Sequence, residues 1–172
     1  MKKLILIIFF SLILTSCLFL WTEGKNMREI RTEIEIAAPP TKVWSILTDF
    51  DNWKNWNPIV TQASGAPSLG SELSVTMCGK DGKDAQKYMP IITDFEEPKF
   101  FRWRAKMMAE FLFTNDKVFE LEETGSGTRL IHKELFSGMM VPLMWSFFDK
   151  GVPPMLKSMN DALKKLAEKS SD

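Results

Sequence analysis

The chain has 172 residues, of which 45% are apolar and 26% charged, values that are typical of one globular domain. Basic and acidic residues number 22 each, so no strong overall charge attracts the chain to nucleic acid, and we expect no nucleic-acid partner. One histidine and two cysteines exclude an ordinary zinc site and a disulfide framework, and we expect neither a metal nor a cofactor. The 13 Phe, 11 Met and 6 Trp instead favour a large apolar interior or a cavity.

Residues 1–21 are predicted to be a signal peptide or a membrane anchor. Two lysines precede residues 4–21, an uncharged apolar run that is typical of export signals. Within it, Leu-Thr-Ser-Cys at residues 14–17 resembles the bacterial lipobox, in which the cysteine, here Cys17, is acylated and becomes the mature N-terminus. The alternative is an uncleaved anchor, because the run continues past Cys17 and nearly spans a hydrocarbon core. Both readings place the rest of the chain outside the cytoplasm, tethered to a membrane of the bacterial cell envelope.

After a polar linker at residues 22–26, the predicted domain occupies residues 27–169, followed by a tail at 170–172. Apolar and charged residues alternate over 30–36 and predict a strand with one wet face. A short amphipathic helix then runs from Pro40 or Thr41 to about Phe50. A helical turn follows, in which Trp53 and Trp56 share one face and are predicted to be packing anchors.

The rest of the domain is predicted to be strands and then one long helix. Alternating residues and turn signals predict strands around 73–78, 88–93, 101–104, 117–122 and 128–136, which gives six or seven antiparallel strands in all. From Val141 to Leu166, apolar residues recur in steps of three or four, as on one stripe of a helix. Because a proline inside a helix costs about 3 kcal/mol, Pro153 and Pro154 predict a break or kink near Gly151. A curved sheet that wraps around such a helix leaves room for a ligand between them.

These segments resemble a known superfamily. Residues 43–50, VWSILTDF, followed by WKNWNP at 53–58, are similar to the opening motif of the SRPBCC superfamily, in its polyketide cyclase/dehydrase and lipid-transport branch. Residues 101–103, 118–122 and 127–138 add to a resemblance that runs from about Ile30 to Lys169. It implies an α+β, helix-grip (START-like) fold with a deep apolar cavity under the C-terminal helix. It does not imply one activity, since members include lipid and hormone binders, chaperone co-activators and a few aromatase or cyclase enzymes.

The last predicted strand places Leu130, His132, Glu134 and Phe136 on one face, which we assign to the cavity. His132 beside Glu134 could orient a ligand carbonyl or act as an acid or base, whereas the alternatives are a buried hydrogen-bonded pair or the opposite face assignment. Lys117 could meet an anionic head group, pair with Glu134 or reach solvent. The predicted ligand-binding residues are Tyr88, Trp103, Lys117, Phe119, Leu130, His132, Glu134, Phe136, Met144, Phe148, Met155 and Met159.

The leading functional hypothesis is a membrane-tethered protein that binds a small hydrophobic or amphiphilic ligand, with lipids as one class. The alternative is a cyclase or dehydratase that uses His132 and Glu134, although the sequence carries no nucleophile elbow, phosphate loop or nucleotide fingerprint. A third hypothesis is an interaction module with a vestigial cavity. The sequence leaves the identity of the ligand, catalytic activity and the oligomeric state open.

Overall fold

The computed structural model describes residues 27–78, 82, 84–106 and 109–169 of the chain. The predicted signal peptide or anchor, with Cys17, lies outside the described residues. Within the described part, no helix is both long enough and apolar enough to cross a membrane.

In the described part of the chain, eight antiparallel strands form two sheets. A five-stranded sheet has the order β1-β8-β7-β6-β5, and a three-stranded sheet has the order β2-β3-β4. The strands are β1 (Arg28–Ile36), β2 (Val60–Ser64), β3 (Ser74–Cys78), β4 (Asp84–Tyr88), β5 (Ile91–Glu96), β6 (Phe100–Lys106), β7 (Thr114–Thr124) and β8 (Gly127–Ser137).

The prediction of six or seven strands is therefore too low. β2 was missed because this short strand buries only two of its side chains, those of Val60 and Ala63, and its alternation is weak. The single strand predicted over 88–93 is divided at Met89 and Pro90 into β4 and β5, which belong to different sheets.

Among the residues that the structure describes, three helices pack on the concave side of the sheets. They are α1 (Pro40–Thr48), α2 (Trp53–Trp56) and α3 (Val141–Ala167), with a 3₁₀ turn at Phe50–Asn52 between the first two. α1 and α2 follow β1, as predicted, and α3 closes the chain. This arrangement of a curved antiparallel sheet around a long C-terminal helix confirms the predicted helix-grip fold.

Irregularities in the strands bend the sheets around α3. The register shifts in β3 between Thr76 and Cys78 and in β5 between Ile92 and Asp94. Such bulges bend the bulged strand and increase its twist. Backbone hydrogen bonds from Gly70 to Ile92 and from Leu73 to Pro90, both 2.8 Å long, join the two sheets into one surface.

Of the predicted break or kink in α3, the break is wrong, since a single helix runs through Pro153 and Pro154. The two prolines remove hydrogen bonds to the carbonyls of Asp149 and Lys150, one turn earlier. Both of these residues are exposed, so water can bind the carbonyls that the prolines leave without an amide partner.

α3 contributes to two apolar clusters. Its C-terminal half places Met159, Leu163 and Ala167 in the main core, together with α1, α2 and most strands. Its N-terminal half packs Val141 and several half-buried side chains against a smaller cluster around Phe136. The first half of the helix is therefore the less tightly packed end.

In the main core, Trp53 is 1% exposed and its ring lies 5.5 Å from the rings of Phe50 and Trp103. Its indole N–H donates a hydrogen bond of 3.0 Å to the carbonyl of Leu47. Trp56 is half-buried against Trp53, at a ring distance of 5.8 Å. Both tryptophans therefore anchor α1 and α2, and the interpretation of Trp53 and Trp56 as packing residues is confirmed.

Candidate functional site

A cavity of about 420 Å³ lies between the N-terminal half of α3 and both sheets. Its volume falls within the range of roughly 300–1,000 Å³ that is typical of small-molecule sites. It is lined by Met77, Gln86, Tyr88, Ala105, Phe113, Asn115, Lys117, Glu134, Phe136, Met144, Phe147, Phe148, Val152 and Met155. The lining is therefore largely apolar, with a small polar group on β4, β7 and β8.

Stacked aromatic rings hold the first half of α3 against the sheet. Phe148 stacks on Phe136 of β8 at 4.5 Å and on Phe113 at 5.5 Å. These offset contacts add to the apolar burial and fix one wall of the cavity. Phe147, the residue before Phe148, also lines the cavity but is 73% exposed, so it marks the entrance.

The polar group of the cavity is centred on an ion pair. Lys117 of β7 lies directly opposite Glu134 of β8, and its Nζ is 2.9 Å from the carboxylate Oε1. Asn115 donates a hydrogen bond of 3.2 Å to Oε2 of the same carboxylate. The two charged side chains are only 5% and 12% exposed, so they form a buried pair with no net charge. The predicted pairing of Lys117 with Glu134 is present, and Lys117 does not reach solvent.

Tyr88 of β4 adds a hydrogen-bond donor to this group. Its hydroxyl donates to the thioether sulfur of Met77 at 3.4 Å, and thioethers are weak acceptors. Burial raises the pKa of Tyr88, and the negative charge of Glu134 raises it further. The phenol therefore stays protonated across the physiological pH range. It can donate a hydrogen bond to a stronger acceptor than the thioether.

His132 is fully buried and belongs to a different network. Its Nδ1 lies 2.8 Å from Oδ1 of Asn160 on α3, and the amide of Asn160 donates to the Thr32 hydroxyl at 3.0 Å. Thr32 in turn donates to the backbone carbonyl of His132 at 3.3 Å. These donor and acceptor roles require that Nδ1 of His132 carries the proton. The network joins β1, β8 and α3 inside the protein.

The environment of His132 keeps its imidazole neutral. Burial lowers the pKa of His132 well below its usual value, the positive charge of Lys117 lowers it further, and the hydrogen bond to Asn160 opposes both effects. The ring also stacks on Phe119 at 4.4 Å. His132 does not line the cavity, so the structure does not bring it together with Glu134 around a common ligand.

The structure divides the predicted ligand-binding residues into two groups. Those that line the cavity are Tyr88, Lys117, Glu134, Phe136, Met144, Phe148 and Met155. Those that lie in the packed interior are Trp103, Phe119, Leu130, His132 and Met159. The cavity does not reach the second group, since Trp53 of α2 packs on Trp103 and Phe119, and Asn160 of α3 binds His132. The ligand-binding role of the first group stays a prediction.

The sequence analysis missed several lining residues. Phe113 and Asn115 continue the alternation of Lys117 and Phe119 on β7, so extending that strand backwards would have found them. Val152 lies on the predicted stripe of α3. Phe147 carried no such signal, since it lies beside the stripe. The others missed are Met77, Gln86 and Ala105.

A metal site receives no support from this geometry. Within the described ranges, no group of three or more His, Cys, Asp or Glu side chains could hold a metal ion. The cavity offers a ligand apolar surface, one neutral ion pair, one phenol and the amides of Gln86 and Asn115.

Comparison with known proteins places these features in a family. The family model described as "Polyketide cyclase / dehydrase and lipid transport" matches residues 27–168. No curated protein matches the sequence.

Several solved structures share the fold at low sequence identity. The di-domain aromatase/cyclase BexL has a TM-score of 0.70 at 14% identity, over 84% of this chain and 51% of that one, so the chain spans about half of its length. Protein MLL2253 from Mesorhizobium loti has a TM-score of 0.59 at 19% identity, over 80% of this chain and 98% of that one. Truncated norcoclaurine synthase from Thalictrum flavum has a TM-score of 0.64 at 13% identity, over 84% and 96%. At these identities, the likeness shows the fold alone.

Proposed function

The chain belongs to the polyketide cyclase/dehydrase and lipid-transport family of the SRPBCC superfamily, and we propose that it binds a small hydrophobic or amphiphilic molecule in the cavity under α3. The observation that carries this proposal is the cavity itself, which combines aromatic and methionine side chains with a compact polar group. Sites of this size that mix apolar walls with a few placed polar groups are typical of small-molecule binding.

The walls are suited to a flexible apolar ligand. Met77, Met144 and Met155 are unbranched and adjust their shape to a ligand at little cost. Phe136 and Phe148, stacked on each other, provide rigid surface. A bound molecule would leave water along its apolar part and place any polar atom near Lys117 and Tyr88.

We further propose that the protein works at a membrane, to which residues 1–21 tether it as a lipoprotein or an uncleaved anchor. Exposed apolar side chains on segments that also supply lining residues of the cavity support this part of the proposal. Leu143 and Phe147 are 79% and 73% exposed on α3, and the adjacent Met139 and Phe111 are 63% and 46% exposed. Their segments are in contact, since the amide of Met139 donates to the carbonyl of Phe111 at 3.1 Å. Such a surface fits a cavity that exchanges its ligand with a bilayer.

The cyclase or dehydratase hypothesis depended on His132 with Glu134. His132 is outside the cavity, is held by Asn160 and is kept neutral, so it has no route to a ligand there.

The proposal is tested by native mass spectrometry of the full chain, isolated together with the surrounding membrane lipid from the cells that produce it. We expect a co-purifying small molecule, and we expect Ala105→Phe to lose it, since Ala105 is buried on the cavity wall. Ala66→Phe is the matched control, because Ala66 is exposed in a loop outside the cavity. A wild-type protein without any bound molecule, or an Ala105→Phe variant that keeps it, would contradict the proposal.

A further inference from the structure

The positive and negative charges of the polar group in the cavity balance each other before any ligand binds. The charge of Lys117 is balanced by Glu134 at 2.9 Å, and the second oxygen of that carboxylate accepts a hydrogen bond from Asn115. Both charged side chains are nearly buried, in surroundings that are mostly apolar. A ligand that brings its own charge would therefore add an unbalanced charge to a poorly hydrated space, which is unfavourable.

A carboxylate is disfavoured at this position for a specific reason. Its oxygens would compete with Glu134 for Lys117 and would place two anions beside one cation. An ammonium group would compete with Lys117 for Glu134 in the same way. The expectation that Lys117 meets an anionic head group thus conflicts with the partner that Lys117 already has.

Hydrogen-bond donors nevertheless remain for an uncharged group. A lysine ammonium carries three N–H donors. Among the described residues, Glu134 accepts from Lys117, so N–H donors of Lys117 remain for a ligand. The Tyr88 hydroxyl donates to the Met77 thioether, a weak acceptor that a ligand oxygen would readily replace. Both side chains line the cavity, so the site offers two hydrogen-bond donors to a ligand.

We infer that the ligand is an uncharged amphiphile, with an apolar body and an oxygen acceptor such as an alcohol, ketone or ester, that accepts a hydrogen bond from Lys117 or Tyr88. This inference rests on the proposed function and names the ligand class of the same cavity. Selection by the Lys117–Glu134 pair explains how a largely apolar cavity beside a membrane could discriminate against ionised fatty acids.

The test compares two ligands that differ only in the head group. The full chain, in nanodiscs of zwitterionic phosphatidylcholine, is exposed to photoactivatable diazirine analogues of dodecan-1-ol and of dodecanoate at about pH 9, where the carboxyl is ionised. Crosslinks to peptides that contain Phe136, Met144 or Met155 are quantified by mass spectrometry. They are normalised to crosslinks to the lipid, so that unequal partition into the bilayer is removed.

In the wild-type protein we expect the alcohol to label the cavity about tenfold more than the carboxylate does. Glu134→Gln keeps the shape of the side chain and leaves Lys117 as an unbalanced cation. We expect that variant to reverse the preference, so that the carboxylate labels the cavity more than the alcohol.

The outcomes separate the two proposals. Equal or stronger labelling of the wild-type cavity by the carboxylate overturns the inference while the proposed function stands. Absence of cavity labelling by either probe overturns both. An alcohol preference that Glu134→Gln leaves unchanged also overturns the inference, because the ion pair would then not be its cause. The wild-type comparison needs no variant, so it decides even if Glu134→Gln fails to fold.

Discussion

We predict that removing one charge of the Lys117–Glu134 pair strongly lowers the stability of the fold. At 2.9 Å, two unit charges in a medium of effective dielectric constant about 20 attract each other by about 6 kcal/mol, a gain that the loss of hydration opposes. Removing one partner leaves the other charge buried, which typically costs 3–5 kcal/mol. We expect Lys117→Met and Glu134→Met each to destabilise the fold by about 3 kcal/mol, near the lower limit because Glu134 keeps slight contact with water.

The double variant tests the reasoning most directly. Replacing both charges by methionine leaves no stranded charge and adds apolar contact, so we expect its stability to lie within about 1 kcal/mol of the wild type. It should therefore be more stable than either single variant by about 2 kcal/mol. The assay is urea unfolding of the full chain in nanodiscs, followed by circular dichroism.

A second ion pair on the same chain provides the control. Lys157 and Asp161 are 3.2 Å apart on α3, but their side chains are 73% and 52% exposed. Exposed pairs contribute little, so we expect Lys157→Met, Asp161→Met and their combination to change stability by no more than about 0.5 kcal/mol. If the cavity variants behave like these, the Lys117–Glu134 pair is hydrated and the argument for an uncharged ligand fails.

Three further predictions concern the cavity, the histidine network and the entrance. Ala105→Phe should place its ring in open apolar space and raise the free energy of unfolding by about 1 kcal/mol, whereas a filled interior would give a loss of about 1–3 kcal/mol in the same urea assay. Because the pKa of His132 is lowered in the folded state, the unfolded chain binds more protons below about pH 6.5, and stability should fall there by up to about 1.4 kcal/mol per pH unit. His132→Asn should lack this contribution, so unfolding at pH 7.5 and 5 should show a smaller pH dependence than in the wild type. Phe147→Ser should slow the transfer of the dodecan-1-ol probe from vesicles into the cavity, measured by time-resolved crosslinking, and change stability by less than about 0.5 kcal/mol, whereas unchanged transfer would argue against this entrance.

The fold was predictable because its signals are local. The alternation in β1 and the stripe of α3 each follow from the spacing of apolar residues along one element. The continuity of α3 was not predictable in this way. An exposed helix turn tolerates Pro153 and Pro154 where its carbonyls reach water, and exposure there is a property of the folded chain.

The candidate site was predictable only in part. Alternation correctly assigned Glu134 and Phe136 to the concave face, but it assigned Leu130 and His132 to the same face with equal force. Whether such a residue meets open space or a neighbouring side chain depends on what lies across from it. That neighbour comes from α1, α2 or α3, distant in sequence, and no local pattern reports it.

Two neighbouring residue pairs on β7 and β8 mark the border between the packed core and the cavity. On β7 and β8, Phe119 lies opposite His132, and two residues further along the sheet Lys117 lies opposite Glu134. The first pair is covered by Trp53, whose ring is 6.3 Å from that of Phe119, and stacks as part of the core. The second pair has the cavity above it. A ligand reaching the end of the cavity therefore meets a balanced pair of charges and a wall of packed rings behind it. Changes in ligand preference should accordingly arise at positions 117 and 134, whereas changes at 119 and 132 should act on stability.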